Sequence, residues 1–465
     1  MKYNRNVKGN ELRKFNGKFE SRYMHDAEVV INELNKVSPS FCLAKWFNVS
    51  IHMPTGKTHS CYHPPSHNIP LEELQISPDA LHNTKYKKEQ RAKMLKGERP
   101  DECEFCWQTE DSGSQLSDRA YRSKDIYEPG LIEEAKKLGI NGNARPRYVE
   151  VNFNQACNFK CSYCSPVLST EWHKEVKQYG AYELPSGNHN DPRWVESLGI
   201  DNSPSNPYVQ AFWKWLPEIY PTLQTFRMTG GEPLMDKNTF KMFDYIRENP
   251  KEDLHMSITS NCCPPKGQWQ RFIDSMQTLT PNLDHFMLFA SLDSWGEQAE
   301  YIRNGLDFNV FYKNIIQYLE ECDRHSLTFI ITFNTLSYSG IFNYIQQIHR
   351  LRKQYSKQRQ MIWFDIPQLT YPDYMNSKLM PEQIGSLEQC VDYMENNKDG
   401  DSNEFQGFSD FEISKVTRLI NWVKSDTGFD KNKAEKNFKA FFQQHDKRRN
   451  TNFVNVFPEL KDYYE

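Results

Sequence analysis

The spacing of three cysteines places the tightest constraint on this chain. Cys157, Cys161 and Cys164 form a CX3CX2C pattern within the segment CNFKCSYC. A structural zinc site usually takes four ligands from two separated pairs, and no second CXXC or HX3-5H motif follows closely. A cubane iron–sulfur cluster can be held by thiolates that lie a few residues apart. Three thiolates would leave one iron free to bind a small molecule.

Composition limits where such a chain works and what it binds. The 465 residues include 11 cysteines, and the net charge is −4 at pH 7. The first thirty residues lack the apolar run of a signal peptide, and no segment has the roughly eighteen apolar residues of a membrane span. We therefore expect a cytoplasmic protein whose clustered cysteines are metal ligands or reactive thiols, not disulfides. The charge balance argues against a dedicated nucleic-acid binder.

An aromatic residue, Tyr163, precedes the last cysteine and gives the pattern CX3CXΦC. With this pattern the sequence resembles the radical S-adenosylmethionine (SAM) enzymes. The resemblance implies a [4Fe-4S] cluster on Cys157, Cys161 and Cys164, and SAM bound to its free iron. In that family reductive cleavage of SAM yields a 5′-deoxyadenosyl radical, which abstracts hydrogen from a substrate. The alternative is a chance cluster of structural cysteines.

Alternating strand and helix patterns follow the cysteine loop. The predicted strands are 147–154, 225–231, 255–261, 285–293, 328–336 and 361–369, and the predicted helices are 166–179, 236–248, 267–278, 309–322, 340–355 and 381–396. Six βα units predict an α/β fold in which a parallel sheet closes partway into a (β/α)6 barrel. Its chemistry is expected at the carboxyl ends of the strands.

Residues at these strand ends match the radical SAM pattern. The resemblance assigns Glu232, beside two glycines, to the SAM amine, and Arg303 to the SAM carboxylate. It assigns the polar residues after the third strand to the ribose and carboxylate of SAM, and those after the fourth to the ribose hydroxyls. Asn334 is expected near the end of the fifth strand, and the apolar residues that end the sixth strand are expected to flank the adenine. The alternatives are a plain turn at the GGEP segment and a surface arginine at 303. The residues expected to bind SAM are Tyr163, Gly230, Gly231, Glu232, Ser260, Asn261, Ser291, Asp293 and Arg303.

A second cysteine group lies in the first quarter of the chain, at Cys42, Cys61, Cys103 and Cys106. Four thiolates suffice to ligate every iron of a second [4Fe-4S] cluster. The GX4C and CX2C spacings resemble the twitch module, the short form of the SPASM auxiliary-cluster domain, with a hairpin around GX4C and a helix before CX2C. Here the module precedes the barrel, as in phage-type twitch proteins. A four-cysteine structural zinc is the alternative, and His63 is either a substitute ligand or a loop residue.

Several further segments have two interpretations each. The basic helix at 85–100 is a solvated face or a nucleic-acid footprint, and the polar excursion at 181–207 is a substrate-contacting lid or a surface insertion. Cys262 and Cys263 directly follow the third strand. They are interpreted either as hydrogen-atom donors to a substrate radical or as buried thiols without a chemical role. The amphipathic tail is expected to cap the open side of the barrel, and its basic residues either hold an anion or are solvated. These basic residues are Lys447, Arg448 and Arg449.

The expected organisation is an N-terminal helical segment at 1–40, a twitch-like module at 41–140, the radical SAM core at 145–375 and a helical cap at 376–465. The resemblance implies a peptide substrate that is crosslinked or epimerised, or else a small molecule such as a nucleotide or sugar. It also implies a flavodoxin or ferredoxin as electron donor. Two rivals from other classes are a non-catalytic iron–sulfur electron carrier and a zinc-stabilised nucleic-acid-binding protein.

Overall fold

Nine strands form one sheet through the centre of the protein. The computed structural model describes residues 27–113, 116–128, 130–322, 325–356, 362–399 and 406–465. The described strands are β1 (Asn48–His52), β2 (Lys57–His59), β3 (His67–Asn68), β4 (Tyr148–Asn152), β5 (Lys160–Cys161), β6 (Tyr182–Leu184), β7 (Gly187–His189), β8 (Thr225–Thr229), β9 (Lys251–Ser260), β10 (Leu283–Ser291), β11 (Arg303–Asn304), β12 (His325–Ile330) and β13 (Ile362–Asp365). The large sheet has the order β13-β12-β10-β9-β8-β4-β1-β2-β3, and β11-β5 and β6-β7 are small antiparallel pairs.

Helices connect the strands and lie at both ends of the described part of the chain. Most of the predicted N-terminal helical segment, residues 1–26, lies outside the described residues. The described α-helices are α1 (Ala27–Asn35), α2 (Ala44–Phe47), α3 (Leu71–Ile76), α4 (Lys85–Leu95), α5 (Glu104–Asp111), α6 (Asp118–Asp125), α7 (Leu131–Leu138), α8 (Thr170–Tyr179), α9 (Pro192–Ser197), α10 (Pro207–Ile219), α11 (Lys237–Glu248), α12 (Gln268–Leu279), α13 (Glu297–Ile302), α14 (Phe308–Glu321), α15 (Tyr338–Tyr355), α16 (Gly385–Asn396), α17 (Asp410–Lys424), α18 (Lys431–Arg449), α19 (Phe453–Val456) and α20 (Lys461–Tyr464). Among these, none has both the length and the apolar character needed to cross a lipid bilayer.

The six predicted strands are all present, adjacent and parallel, but the fifth spans His325–Ile330 and not 328–336 as predicted. They are β4, β8, β9, β10, β12 and β13, and every pairing among them is parallel. The helices predicted between them are also present, as α8, α11, α12, α14, α15 and α16. Parallel neighbours require crossover helices, so the alternating sequence pattern was sufficient to predict this part of the fold.

The first quarter of the chain contributes a seventh parallel strand to the same sheet. β1 pairs with β4 over its whole length, from Asn48 opposite Tyr148 to His52 opposite Asn152. β1 and β2 form the hairpin predicted around the GX4C segment, with Gly56 at φ +60° in its turn. The helix predicted before the CX2C pair is α4. The hairpin therefore continues the main sheet.

The two faces of the sheet differ in polarity. Strand residues alternate between the faces, so Ser50, Glu150 and Arg227 share one face through the register of β1, β4 and β8. The intervening residues, such as Val149 and Phe226, are fully buried. Helices cover this apolar face, as when Phe212 of α10 packs against Phe226 at a 6.0 Å ring separation. Because helices cover the apolar face, a reaction site is expected on the polar face.

The C-terminal tail contacts both the first and the last βα units. Lys415 of α17 pairs with Asp365 of β13 at 3.0 Å. Phe441 of α18 stacks on Tyr182 of β6 at 4.5 Å and on Tyr374 at 4.3 Å. The excursion at 181–207 is structured here as the β6-β7 hairpin and α9, and the hairpin packs against α18.

Candidate functional site

The three-cysteine loop lies at the carboxyl end of β4, between that strand and α8. Its second cysteine belongs to β5, where Cys161 pairs with Arg303 of β11. The backbone N–H of Cys164 donates to the Cys161 carbonyl at 2.9 Å, and the Trp172 indole N–H donates to the same oxygen at 2.8 Å. These two bonds curl the loop around the Cys161 carbonyl.

The three thiols are close enough to perturb one another. Burial and then the neighbouring Cys161 raise the pKa of Cys164 to about 12, and the same two causes raise the pKa of Cys157. A guanidinium nitrogen of Arg303 lies 3.7 Å from the Cys161 sulfur. Within the described residues, no group of three or more His, Cys, Asp or Glu side chains is set to hold a single metal ion. The donor set, three crowded thiols, is the soft set that iron–sulfur clusters take, and each thiolate of a cubane binds a different iron.

The Gly-Gly-Glu turn after β8 packs directly on the chain that leads into this loop. Gly230 has φ +127°, and a Cβ there would lie 2.3 Å from the side-chain oxygen of Asn152. A Cβ on Gly231 would lie 2.3 Å from the backbone oxygen of Ala156, one residue before Cys157. Only glycine permits this approach without displacing the cysteine loop.

Glu232 lies at the centre of a buried hydrogen-bond network. It is 1% exposed, and its carboxylate accepts from the Ser260 hydroxyl at 2.8 Å and from the Asn261 N–H at 2.6 Å. Burial raises its pKa to about 7 against the effect of these bonds. Asn261 also donates from its side chain to Asn158 of the cysteine loop at 2.9 Å. Three predicted SAM-binding residues thus meet beside the three-cysteine loop.

Tyr163, Asp293 and Arg303 form a second buried group. The Tyr163 hydroxyl donates to Asp293 at 2.8 Å and accepts from Arg303 at 2.7 Å. Asp293 also accepts from the backbone of Thr332 at 3.0 Å. Ser291, two residues before Asp293, is half-buried. In this structure the acid and the arginine bind each other, and their contact with SAM stays a prediction.

The segment after β12, the fifth of the predicted strands, approaches the same group through the backbone of Thr332. Asn334 is fully buried, and its amide donates to the Thr332 carbonyl at 2.9 Å. Cys262 and Cys263 are both buried, with Cys262 at φ +56°, and the Asn314 amide donates to the Cys262 carbonyl at 2.8 Å. The predicted placement of these two thiols near the strand ends is therefore correct, whereas hydrogen-atom donation stays a prediction.

The four N-terminal cysteines come together although they are far apart in sequence. Burial and then Cys42 raise the pKa of Cys106 to about 12. Burial is also the main cause that raises the pKa of Cys61 to about 12, with further contributions from Cys42 and Cys103. Three of the four, Cys42, Cys103 and Cys106, share an apolar cluster with Trp107. Four mutually interacting thiols are the kind of donor set that a cubane or a zinc ion takes, although within the described residues they are not set around a single ion.

Two buried lysines lie near this four-cysteine group, and no local sequence pattern predicts their burial. Lys45 is 2% exposed, pairs with Glu102, and interacts with Cys103 and Cys61. Lys87 of α4 is 1% exposed, and its ammonium donates to Thr58 at 3.2 Å and to the His59 carbonyl at 3.3 Å. A thiolate-ligated centre carries net negative charge, which such cations stabilise.

These contacts correct two interpretations of basic segments. The helix at 85–100 is not simply a solvated face, because Lys87 and Arg91 are buried, and for the same reason these two cannot contact nucleic acid. The basic residues of the tail were expected to hold an anion or to be solvated. Arg448 and Arg449 instead donate to groups of the protein itself, whereas Lys447 is exposed.

The loop interpretation of His63 fits its contacts. Its imidazole Nε2 lies 2.6 Å from the Asp118 carboxylate, and its ring stacks on Phe105 at 3.7 Å. The ring is therefore already paired with an acid.

A cavity of about 180 Å³ lies on the polar face at the amino ends of β1, β4 and β8, beside Cys61. The Tyr62 and Tyr148 hydroxyls are 2.7 Å apart, and Tyr148 donates to Glu150 at 3.1 Å. The alternation of polar and apolar residues in 147–154 could have identified Tyr148 and Glu150 as residues of this face. The lining residues are Asn48, Ser50, Ser60, Cys61, Tyr62, Arg122, Asp125, Ile126, Tyr148 and Thr225.

Comparison with known proteins gives a partial match. No family profile matches the chain. Over 196 residues it is 26% identical to the GTP 3′,8-cyclase of Campylobacter lari, a match that covers 42% of this chain and 48% of the relative. The chain thus aligns with about half the length of this curated relative. This match supports the resemblance to radical SAM enzymes.

A solved structure also resembles the fold weakly. Streptococcus suis SuiB bound to S-adenosylmethionine is 11% identical and has a TM-score of 0.32, over 76% of this chain and 67% of that chain. A likeness at this TM-score carries no argument about fold or function.

Proposed function

We propose that this chain is a radical SAM enzyme that cleaves SAM reductively and abstracts hydrogen from a substrate. One observation carries the proposal: the CX3CX2C loop after β4 packs against the Gly-Gly-Glu turn after β8 at one edge of a parallel sheet. Both motifs were identified from the sequence independently of their spatial contact. Their meeting at the carboxyl ends of adjacent strands is where ligands bind in such sheets.

Each side chain of the site has a proposed task. Cys157, Cys161 and Cys164 would hold a [4Fe-4S] cluster, which supplies the electron for SAM cleavage when bound. Glu232 would accept hydrogen bonds from the SAM ammonium group, since a cation beside a buried carboxyl group favours its charged form. Arg303 holds Tyr163 and Asp293 in place beside the same loop. The polar groups of Ser260, Asn261, Ser291 and Asp293 would face the rest of SAM.

The N-terminal group would hold a second [4Fe-4S] cluster on Cys42, Cys61, Cys103 and Cys106, in a twitch-like module. Lys45 supports this part of the proposal, because its ammonium, which is paired with Glu102, supplies buried positive charge next to the thiols. The proposed roles of this cluster are to order the substrate side or to carry an electron. Cys61 borders the cavity at the amino ends of β1, β4 and β8, which is the opposite end of these strands from the three-cysteine loop.

The proposed substrate is a peptide, as in the twitch and SPASM relatives that the motifs resemble. A nucleotide is the second candidate, because the curated relative is named for a reaction of GTP. The proposed electron donor is a flavodoxin or a ferredoxin. A cytoplasmic location is proposed with these partners.

Anaerobic reconstitution tests the function. Two clusters predict about eight irons per chain and a brown protein. Adding SAM and dithionite should release 5′-deoxyadenosine, and Cys161→Ala should abolish this release whereas Cys103→Ala should leave some of it. Cys390→Ala, which removes a buried thiol on α16, is the matched control and should leave release unchanged.

The rival functions give different results in the same experiment. An iron-containing protein that never releases 5′-deoxyadenosine would be an electron carrier. A colourless zinc protein whose nucleic-acid affinity falls steeply with salt would be a binding module. If the Cys161→Ala variant still releases 5′-deoxyadenosine, the assignment of the cysteine loop is wrong.

A further inference from the structure

The C-terminal helix α18 reaches the three-cysteine loop from the far end of the chain. A guanidinium nitrogen of Arg449 donates to the Lys160 carbonyl at 2.6 Å, across 289 positions of sequence. One turn earlier on the helix, the His445 Nε2 lies 3.4 Å from the Ser162 hydroxyl. Lys160 and Ser162 are the two neighbours of Cys161, so the tail holds the loop on both sides of its central cysteine.

Arg449 is itself fixed by its surroundings. Its side chain is fully buried, and its Nε and Nη2 donate to the two carboxylate oxygens of Glu175 at 3.0 and 3.1 Å. Its guanidinium stacks on the Trp172 ring at 4.6 Å. The same Trp172 donates to the Cys161 carbonyl. A bidentate, stacked arginine of this kind has one low-energy position.

Glu175 connects this arginine to three other parts of the fold. Its carboxylate also accepts from the Lys160 ammonium at 2.6 Å and from the Tyr182 hydroxyl at 2.6 Å. The acid therefore joins α8, the cysteine loop, the β6-β7 hairpin and the tail in one buried network. Removing one member of a buried hydrogen-bond network leaves the other members without partners and so lowers the stability of the folded protein.

We propose that Arg449 is a positioning residue for the three-cysteine loop, and that the C-terminal helix is thereby part of the proposed cluster site. Acting with Glu175, it fixes the Lys160 carbonyl and so sets the place of Cys161 opposite Arg303. The relevance of this arrangement to catalysis rests on the proposed function. The arrangement itself consists only of contacts within the protein.

Thiol alkylation of the metal-free full-length protein tests the proposal. Iodoacetamide is added under native conditions, and the labelling rate of Cys161 is followed by peptide mass spectrometry. Arg449→Gln should raise this rate about tenfold, as expected for the loss of charge-assisted bonds that close the loop. Arg448→Gln is the matched control, because Arg448 donates to the Gly180 and Ala181 carbonyls outside the loop, at 3.0 and 2.7 Å. Its Cys161 rate should equal that of the wild type.

Two further variants keep the test decisive if Arg449→Gln does not fold, which circular dichroism establishes. Glu175→Gln should raise the labelling rate of Cys161 as Arg449→Gln does. Arg449→Lys should give an intermediate rate, since lysine keeps the positive charge but cannot donate in the bidentate manner of a guanidinium group. Iron retained after reconstitution should fall in the same order. Unchanged Cys161 labelling in the folded variants would overturn the proposal. Because labelling uses metal-free protein, this outcome is independent of whether 5′-deoxyadenosine is ever released.

Discussion

The guanidinium of Arg303 lies against the carboxylate of Asp293, with Nε 2.9 Å from Oδ2, and neither side chain reaches solvent appreciably. The pair joins two elements, because Asp293 follows β10 whereas Arg303 pairs through β11 with the cysteine loop. The position of this ion pair explains how β11, which has only two residues, can hold Cys161 in place. The acid fixes the arginine, and the arginine lies beside the thiol.

Asp293→Asn should destabilise the metal-free protein by about 3 kcal/mol, because it leaves the Arg303 cation buried without its acid. Urea unfolding followed by circular dichroism measures the free energy of unfolding. Ser291→Ala, two residues earlier and half-buried, is the control and should change it by less than about 0.5 kcal/mol. Equal free energies of unfolding for the two variants would show that the ion pair does not contribute to stability.

Glu232 should make the stability of the metal-free protein depend on pH. Burial raises its folded pKa to about 7 from an ordinary value of 4.5, so the folded state binds this proton more tightly than the unfolded state. Its contribution to stability is therefore complete below about pH 4.5 and is lost as pH rises through 7. Relative to Glu232→Gln, the wild type should lose about 3 kcal/mol between pH 4.5 and 8.

Urea unfolding at several pH values checks this. Glu196→Gln, an exposed change on α9, is the control and should leave the wild-type pH dependence unaltered. The prediction fails if the stability difference between the wild type and Glu232→Gln does not change across this range.

Local pattern was sufficient to predict the barrel strands and the cysteine loop. The segment 147–154 alternates buried valines with polar residues, and a strand of that kind needs no distant information to be recognised. The GGEP and CX3CX2C segments are contiguous, so their chemistry is also readable locally. Their mutual packing, with Gly231 against Ala156, followed from the predicted parallel sheet.

Long-range contacts could not be predicted in the same way. The pairing of β1 with β4 joins segments about a hundred residues apart, and register between them depends on the assembled sheet. Lys87 lies in a sequence rich in lysine, where solvent exposure is the ordinary expectation, and only the tertiary fold buries it. Arg449 and Glu175 are likewise remote in sequence, so their ion pair has no local signature.

Gly231→Ala should disturb the cysteine loop directly. The new Cβ would meet the Ala156 backbone oxygen at 2.3 Å, so the chain before Cys157 must move. Overpacking of this kind costs about 1–3 kcal/mol, and the displaced loop should retain less iron after reconstitution. Gly385→Ala, where a Cβ meets nothing within 4 Å, is the control and should keep wild-type stability and iron content. Full iron retention in Gly231→Ala would contradict the proposed site.

Lys87→Met should have opposite effects on the metal-free and the metal-loaded protein. Burial and the neighbouring Arg91 and Lys45 lower the pKa of Lys87 well below its ordinary value, so without a thiolate-bound centre this lysine is poorly placed. Replacing it with methionine should stabilise the metal-free protein by about 1–3 kcal/mol, as replacing a poorly compensated buried charge often does.

With metal bound, the same ammonium offsets the negative charge of the four-cysteine centre, so its removal should speed loss of metal from that centre. Chelator-driven metal release, measured in a Cys157→Ala, Cys161→Ala, Cys164→Ala background, isolates the N-terminal group. Lys85→Met, an exposed change on the same helix, should alter neither quantity. Slower or unchanged metal release in Lys87→Met would mean that the buried cation does not serve the cysteines, and that its burial has another cause.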